Sequence, residues 1–138
     1  MSGKEILKQN QLHQTPVRLQ LLTVLEGAAR PLSVREIEAL LPQRHDRVTL
    51  YRTLKLFVDK QMVNRIAVSE QLVAYRIHAD EKHLHFHCNH CNAVYCLPKA
   101  PVQPVEVPTG FVVTDNRFVV NGVCNLCNEN PQQQKTIS

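Results

Sequence analysis

Residues 46–77 read DRVTLYRTLKLFVDKQMVNRIAVSEQLVAYRI, and this stretch decides the fold class. Its first part has helical spacing: Leu50, Leu54, Phe57 and Val58 mark one inward face, and Asp46 stands where a cap would be. At about 100° per residue, Arg52 and Lys55 lie roughly 200° and 140° round from Leu50, so they point outward. Beyond Met62, two short β-rich runs flank the polar turn SEQ, which predicts a hairpin.

Two further helices precede this stretch. In QTPVRLQLLTVLEG, Thr15 suits an N-cap, Pro16 the first helical position, and Gly27 a stop, while Val17, Leu21 and Leu25 recur at helical spacing. In SVRE, Ser33 and Glu36 form a capping box, and Val34, Ile37 and Leu41 make an apolar stripe that Pro42 ends. Three helices followed by a hairpin predict an N-terminal winged helix-turn-helix in an α+β chain. Arg44, Arg47, Arg52 and Lys55 can neutralise phosphates, while Thr49, Tyr51 and Thr53 can offer hydroxyls, methyls or a ring to groove edges. Double-stranded DNA is therefore the expected partner. The same shape also serves protein contacts, so an interaction module without DNA readout is the alternative from another class.

The chain divides chemically. Residues 1–77 carry net charge +5 and residues 78–138 net −1, and the second part holds all five cysteines and five of the seven histidines. A boundary near Ala79 separates expected domains 1–78 and 79–138. With 43% hydrophobic and 20% charged residues and no long apolar run, neither a membrane role nor a membrane partner is expected. MSGKEILKQNQLHQ lacks the apolar core of a secretory signal, so a cytoplasmic location is expected, where cysteines serve as metal ligands or reactive thiols.

Cys88 and Cys91 form one Cys-x-x-Cys, and Cys124 and Cys127 form another. Each knuckle supplies two thiolates from a tight turn, so two knuckles close one tetrahedral structural zinc site with no position open for substrate. A nucleobase deaminase would need His-x-Glu ahead of Pro-Cys-x-x-Cys. Here Asp80 follows His78 at that spacing, and His87 precedes Cys88. No catalytic triad or phosphate loop appears either. No enzyme activity and no small-molecule substrate are expected.

HLHFHCNHCNAVYC, residues 83–96, alternates as a strand, placing His83, His85 and His87 on one face and Leu84 and Phe86 on the other. If NAVYCL returns as its partner around Asn89 and His90, His83 faces Cys96. The expected second metal site therefore comprises His83, His85 and Cys96, with His78 as fourth ligand from the hinge. His87 and His90 are expected at the surface or beside the ligands.

Together these residues identify a resemblance. TPVR at 15–18, VTLYRTL at 48–54, AYRIH, the histidine-rich strand running into CNHC, and GVCNLC resemble the ferric uptake regulator family of metal-dependent bacterial repressors over nearly the full length. The resemblance implies an N-terminal winged helix, a hinge, and a small C-terminal module that dimerises. It also implies a palindromic operator as the DNA partner of a homodimer. It places the family's DNA-contacting pair on Tyr51 and Arg52 and its early arginine on Arg18, with Thr15 in the same motif. It places the structural zinc on Cys88, Cys91, Cys124 and Cys127, and the regulatory ligands on His83, His85 and Cys96, with His78 where zinc-sensing members carry a cysteine.

The departures are Pro31 and Arg76 in place of two frequent ligands, and Lys82, Leu84 and Asn116 where an additional site would lie. That additional site is expected to be absent. PKAPVQPVEVP, residues 98–108, carries four prolines where the family usually has a helix, so the dimer interface is expected to differ or shrink. A thiolate in a histidine-rich site favours Zn2+ over Fe2+ as regulatory metal, beside the structural Zn2+. The expectation is a zinc-responsive repressor of metal homeostasis, with iron or peroxide sensing as the nearest rival.

Overall fold

The computed structural model describes residues 3–78, 84–97, 105–113 and 118–129. The chain forms two compact units, Met1–Asp80 and Glu81–Ser138.

The first unit contains helices α1 (Gly3–Gln9), α2 (Pro16–Gly27), α3 (Val34–Leu40) and α4 (Arg47–Asp59). Its three-stranded sheet has the order β1 (Leu32–Ser33), β3 (Val73–Ile77), β2 (Val63–Ala67). The expected start signals operate at two helices. Thr15 accepts from the Arg18 N–H, and Ser33 and Glu36 form the full reciprocal box. Asp46 does occupy the N-cap of α4, but its side chain makes no capping bond. Gly27 is the last helical residue, and extended Ala28 takes the C-cap.

Leu21, Leu22, Ile37, Leu50, Leu54 and Phe57 are fully buried and join the helices into one core with Val63 and Tyr75. Helix α1 and strand β1 were not expected. GKEILKQ is too short to show a period, yet Leu7 is fully buried, and Gly3 allows close approach: a Cβ there would lie 3.3 Å from the Leu22 Cβ. Strand β1 is two residues long and exists because Leu32 and Ser33 pair with Tyr75 and Ala74. The wing hairpin pairs Val63 with Ile77 through Ala67 with Val73, and Ser69 Oγ accepts from the Gln71 and Leu72 N–H groups at its turn.

The second unit contains β4 (Leu84–Cys88), β5 (Val94–Leu97), β6 (Val119–Gly122) and helix α5 (Asn125–Glu129). The strand order is β5-β4-β6, with β6 parallel to β4. The expected register is corrected here. Cys96 faces His85, two residues on from the expected partner His83, which lies outside the described residues. The cause is the turn. A four-residue loop at 89–92 replaces the assumed two-residue one, closed by Asn92 N–H to Cys88 O (2.8 Å) and Cys88 N–H to Ala93 O (3.0 Å), with Asn92 at φ 65°. An even slip leaves every side chain on its expected face. Of PKAPVQPVEVP, residues 105–108 are not helical, and the rest lies outside the described residues.

Glu36 anchors the start of α3 and also pairs with Arg30. Burial pushes its carboxyl up, but the Arg30 guanidinium and the Ser33 N–H outweigh this and hold it below its usual 4.5. A depressed folded value stabilises above the unfolded value, and that stability is lost as pH falls. Ser33→Ala is expected to cost about 1 kcal/mol in urea unfolding at neutral pH. Glu36→Gln should flatten the loss of stability below pH 4.5, read from urea midpoints across acid pH.

Candidate metal centre and nucleic-acid interface

The four knuckle cysteines meet in the second unit. Cys88 ends β4, Cys91 lies in the 89–92 loop, Cys124 precedes α5, and Cys127 lies within it. Their sulfurs all lie within 4.8 Å of one another. Cys88 Sγ is 3.8 Å from Cys127 Sγ, and Cys91 Sγ is 3.8 Å from Cys124 Sγ. Metal–thiolate bonds of about 2.3 Å in a tetrahedron set sulfur–sulfur edges of about 3.8 Å, so this donor set fits zinc in size and chemistry.

The backbone prepares the first charge. Burial pushes the Cys88 thiol up, but the N–H groups of Cys91, Cys124 and His90 outweigh it and hold it down at about 6. Burial and three neighbouring sulfurs push Cys127 up to about 12. These backbone N–H groups favour a thiolate at Cys88, and metal binding at the cluster displaces the protons that remain.

Two sets of contacts hold the knuckles in place. Gly122 lies against the Phe86 ring, whose Cζ would be 3.0 Å from a Cβ there, and Phe86 in turn packs on the cysteine cluster. His87 spans the two knuckles: its Nδ1 is 2.9 Å from Asn121 Oδ1 in β6, and its Nε2 is 3.1 Å from Asn92 Oδ1 in the loop. Histidine spacing alone did not reveal this role, because the partners come from two distant segments.

The expected regulatory residues are partly brought together. His85 and Cys96 are direct cross-strand partners, on the sheet face opposite Phe86, Tyr95 and the cysteine cluster. His78 follows β3 in the first unit, where its N–H donates to Met62 O and its Nδ1 lies 2.7 Å from Asn64 Oδ1.

On the first unit, α4 presents an outward surface. Tyr51 is 50% exposed, and Thr49, Arg52 and Lys55 are exposed. Lys55 pairs with Asp59 at 3.2 Å, and Arg47 pairs with Glu38 of α3. Thr53 departs from expectation. It is buried, its hydroxyl donating to Thr49 O at 2.8 Å, because a position three residues after Leu50 lies on the same side of the helix. Arg18 reaches back to His13 O at 3.1 Å, and Thr15 Oγ1 is used as the α2 cap. Arg65, which was not expected, is exposed on β2 opposite Tyr75.

The family model described as "Ferric uptake regulator family" matches residues 9–109. The chain belongs to the ferric uptake regulator family. Its members are metal-responsive transcriptional regulators rather than enzymes. The ferric uptake regulation protein of Bacillus subtilis is 26% identical over 136 residues, covering 91% of each chain. The fold is similar to the Helicobacter pylori ferric uptake regulator, at TM-score 0.63 and 20% identity over 92% of this chain and 89% of that one. It is also similar to a zinc uptake regulator solved with zinc and DNA, at TM-score 0.59 and 22% identity over 94% of this chain and 92% of that one. Among the described residues, no helix is long and apolar enough to cross a membrane.

The His87 bridge predicts a measurable effect on metal retention. In cobalt-loaded protein, His87→Ala should speed transfer of the thiolate-bound metal to a chelator by on the order of tenfold, followed by loss of the thiolate charge-transfer band. His87→Gln should restore part of the slow rate by keeping one amide contact.

Proposed function

We propose that this chain is a cytoplasmic, homodimeric, zinc-responsive repressor that binds palindromic operator DNA when its regulatory site is filled. The observation that carries the reading is the His85–Cys96 pair on the sheet face opposite the four-cysteine cluster. One strand thus offers two separate donor sets.

In this reading Cys88, Cys91, Cys124 and Cys127 hold a structural Zn2+, and residues 79–138 form the dimerisation domain. His78, His83, His85 and Cys96 hold the regulatory metal. The sulfur of Cys96 favours Zn2+ over Fe2+ there, since a hard carboxylate is the usual companion of iron(II) in nitrogen-rich sites. Residues 1–78 form the DNA-binding domain. Tyr51, Arg52 and Thr49 face base edges, and Thr15, Arg18, Arg47 and Lys55 lie on or near the phosphate-facing side. A zinc uptake regulator of similar fold has been solved with zinc and DNA, which supports the DNA-binding part of this reading.

Metal analysis paired with gel-shift titration tests this reading. Wild type should hold two metals per chain. His85→Ala and Cys96→Ala should each hold one and lose zinc-dependent operator binding while keeping the fold. A wild type with one metal that still responds to zinc would overturn the two-site assignment, and a response to Fe2+ alone would favour the iron-sensing rival. Arg52→Ala should lose most operator affinity, by roughly 10-fold to 100-fold, with unchanged metal content. Unchanged retention would leave the interaction-module reading.

A further inference from the structure

We propose that Glu38 is an internal competitor for the DNA backbone, holding Arg47 in a two-point ion pair and so limiting affinity for duplex of any sequence. This inference rests on the DNA-binding reading above.

The geometry is specific. Arg47 is the first residue of α4, and its Nε donates to both Glu38 oxygens, at 3.1 and 3.2 Å, while its Nη2 donates to Oε1 at 2.8 Å. The carboxylate thus meets the guanidinium fork as a phosphate would, with two oxygens in one plane. Arg35 and Arg44 also act on Glu38 and help hold its carboxyl below the ordinary range, after the Arg47 hydrogen bond as first cause. Glu38 therefore sits near three arginines, beside an open depression of ≈ 670 Å³ lined also by Arg44, His45 and a second carboxylate, Asp46.

Two consequences follow from charge alone. A phosphate that approaches the start of α4 meets Arg47 already occupied, and it must displace a tethered carboxylate whose effective concentration is high. It also meets the negative charge of Glu38 itself. Tyr51 and Arg52, one turn further along α4, are not in this pair. Glu38 thus acts on the sequence-independent part of binding, in which each neutralised phosphate releases counterions.

A double-mutant cycle on the metal-loaded full chain, titrated with a random-sequence duplex across a salt series, tests the proposal. Glu38→Gln is expected to tighten binding by about threefold to fivefold, the scale of one exposed ion pair. It should also steepen the salt dependence by up to about 0.9. Arg47→Ala should cost less than about twofold in the wild-type background and recover the full threefold to fivefold in the Glu38→Gln background. Thermal unfolding separates this from a folding defect, because both side chains are partly exposed and neither joins the core. Equal cost of Arg47→Ala in both backgrounds, or no tightening in Glu38→Gln, overturns the proposal while leaving DNA binding intact. A wild type that holds no duplex at any salt overturns both.

Discussion

The buried centre of the second unit, taken over its described residues, is mostly sulfur. Among its described residues only Cys88, Ala93, Val94, Cys124 and Cys127 are buried, and three of these five are cysteines. Burial of Ala93 and Val94 is a small apolar contribution against the entropy of ordering three strands and a short helix. Among the described residues the apolar core is thus small beside the four-sulfur cluster, where metal binding would couple to folding. The cluster joins the end of β4, the 89–92 loop and the start of α5, which are the points where the unit's segments meet. Phe86, Tyr95 and Val123 pack around this cluster, so the small apolar layer is organised by the thiols it surrounds.

The first unit follows the opposite logic. Its buried leucines, Ile37 and Phe57 come from all four helices and meet β2 and β3, so its fold follows from apolar periodicity without a metal. That difference explains what could be read from sequence. Helices α2, α3 and α4 and the wing were legible because each has a cap, a period or a turn that acts locally. Helix α1 and β1 were not, because their existence depends on partners: Leu7 on α2, and Leu32 on Tyr75. Strand β6 and helix α5 were hidden for the same reason, since their positions are set by parallel pairing with β4 and by the second knuckle.

The site was legible to a similar degree. Spacing alone grouped the four cysteines, because a Cys-x-x-Cys turn is a local device whose only long-range requirement is a second copy. The strand alternation of HLHFHC also held, so His85 and Cys96 share a face. What spacing could not give was the register, because this depends on loop length, and the 89–92 loop, with Asn92 at φ 65°, is two residues longer than the assumed turn. The error was harmless to the face assignment only because it was even. Thr53 shows the converse: its polar side chain suggested DNA, while its position three residues after Leu50 already placed it inward.

On the proposed reading, strand β4 couples the two metal sites through the backbone rather than through contact. Cys88 and Phe86 face one side, and His85 and His87 the other, so any shift of the strand moves both donor sets together. The loop 89–92 and Gly122 fix the strand end from the structural side. Asn89 N–H donates to Gly122 O at 2.8 Å, and the Phe86 ring fills the space that a Cβ at Gly122 would need. A closed thiolate site is therefore the natural anchor for a responsive one built on the same strand. It fixes the position of His85 against Cys96 before any regulatory metal arrives, so the incoming ion orders fewer groups and is not required to fold the sheet. A responsive metal can then be gained and lost without unfolding the unit, provided that the anchor stays filled.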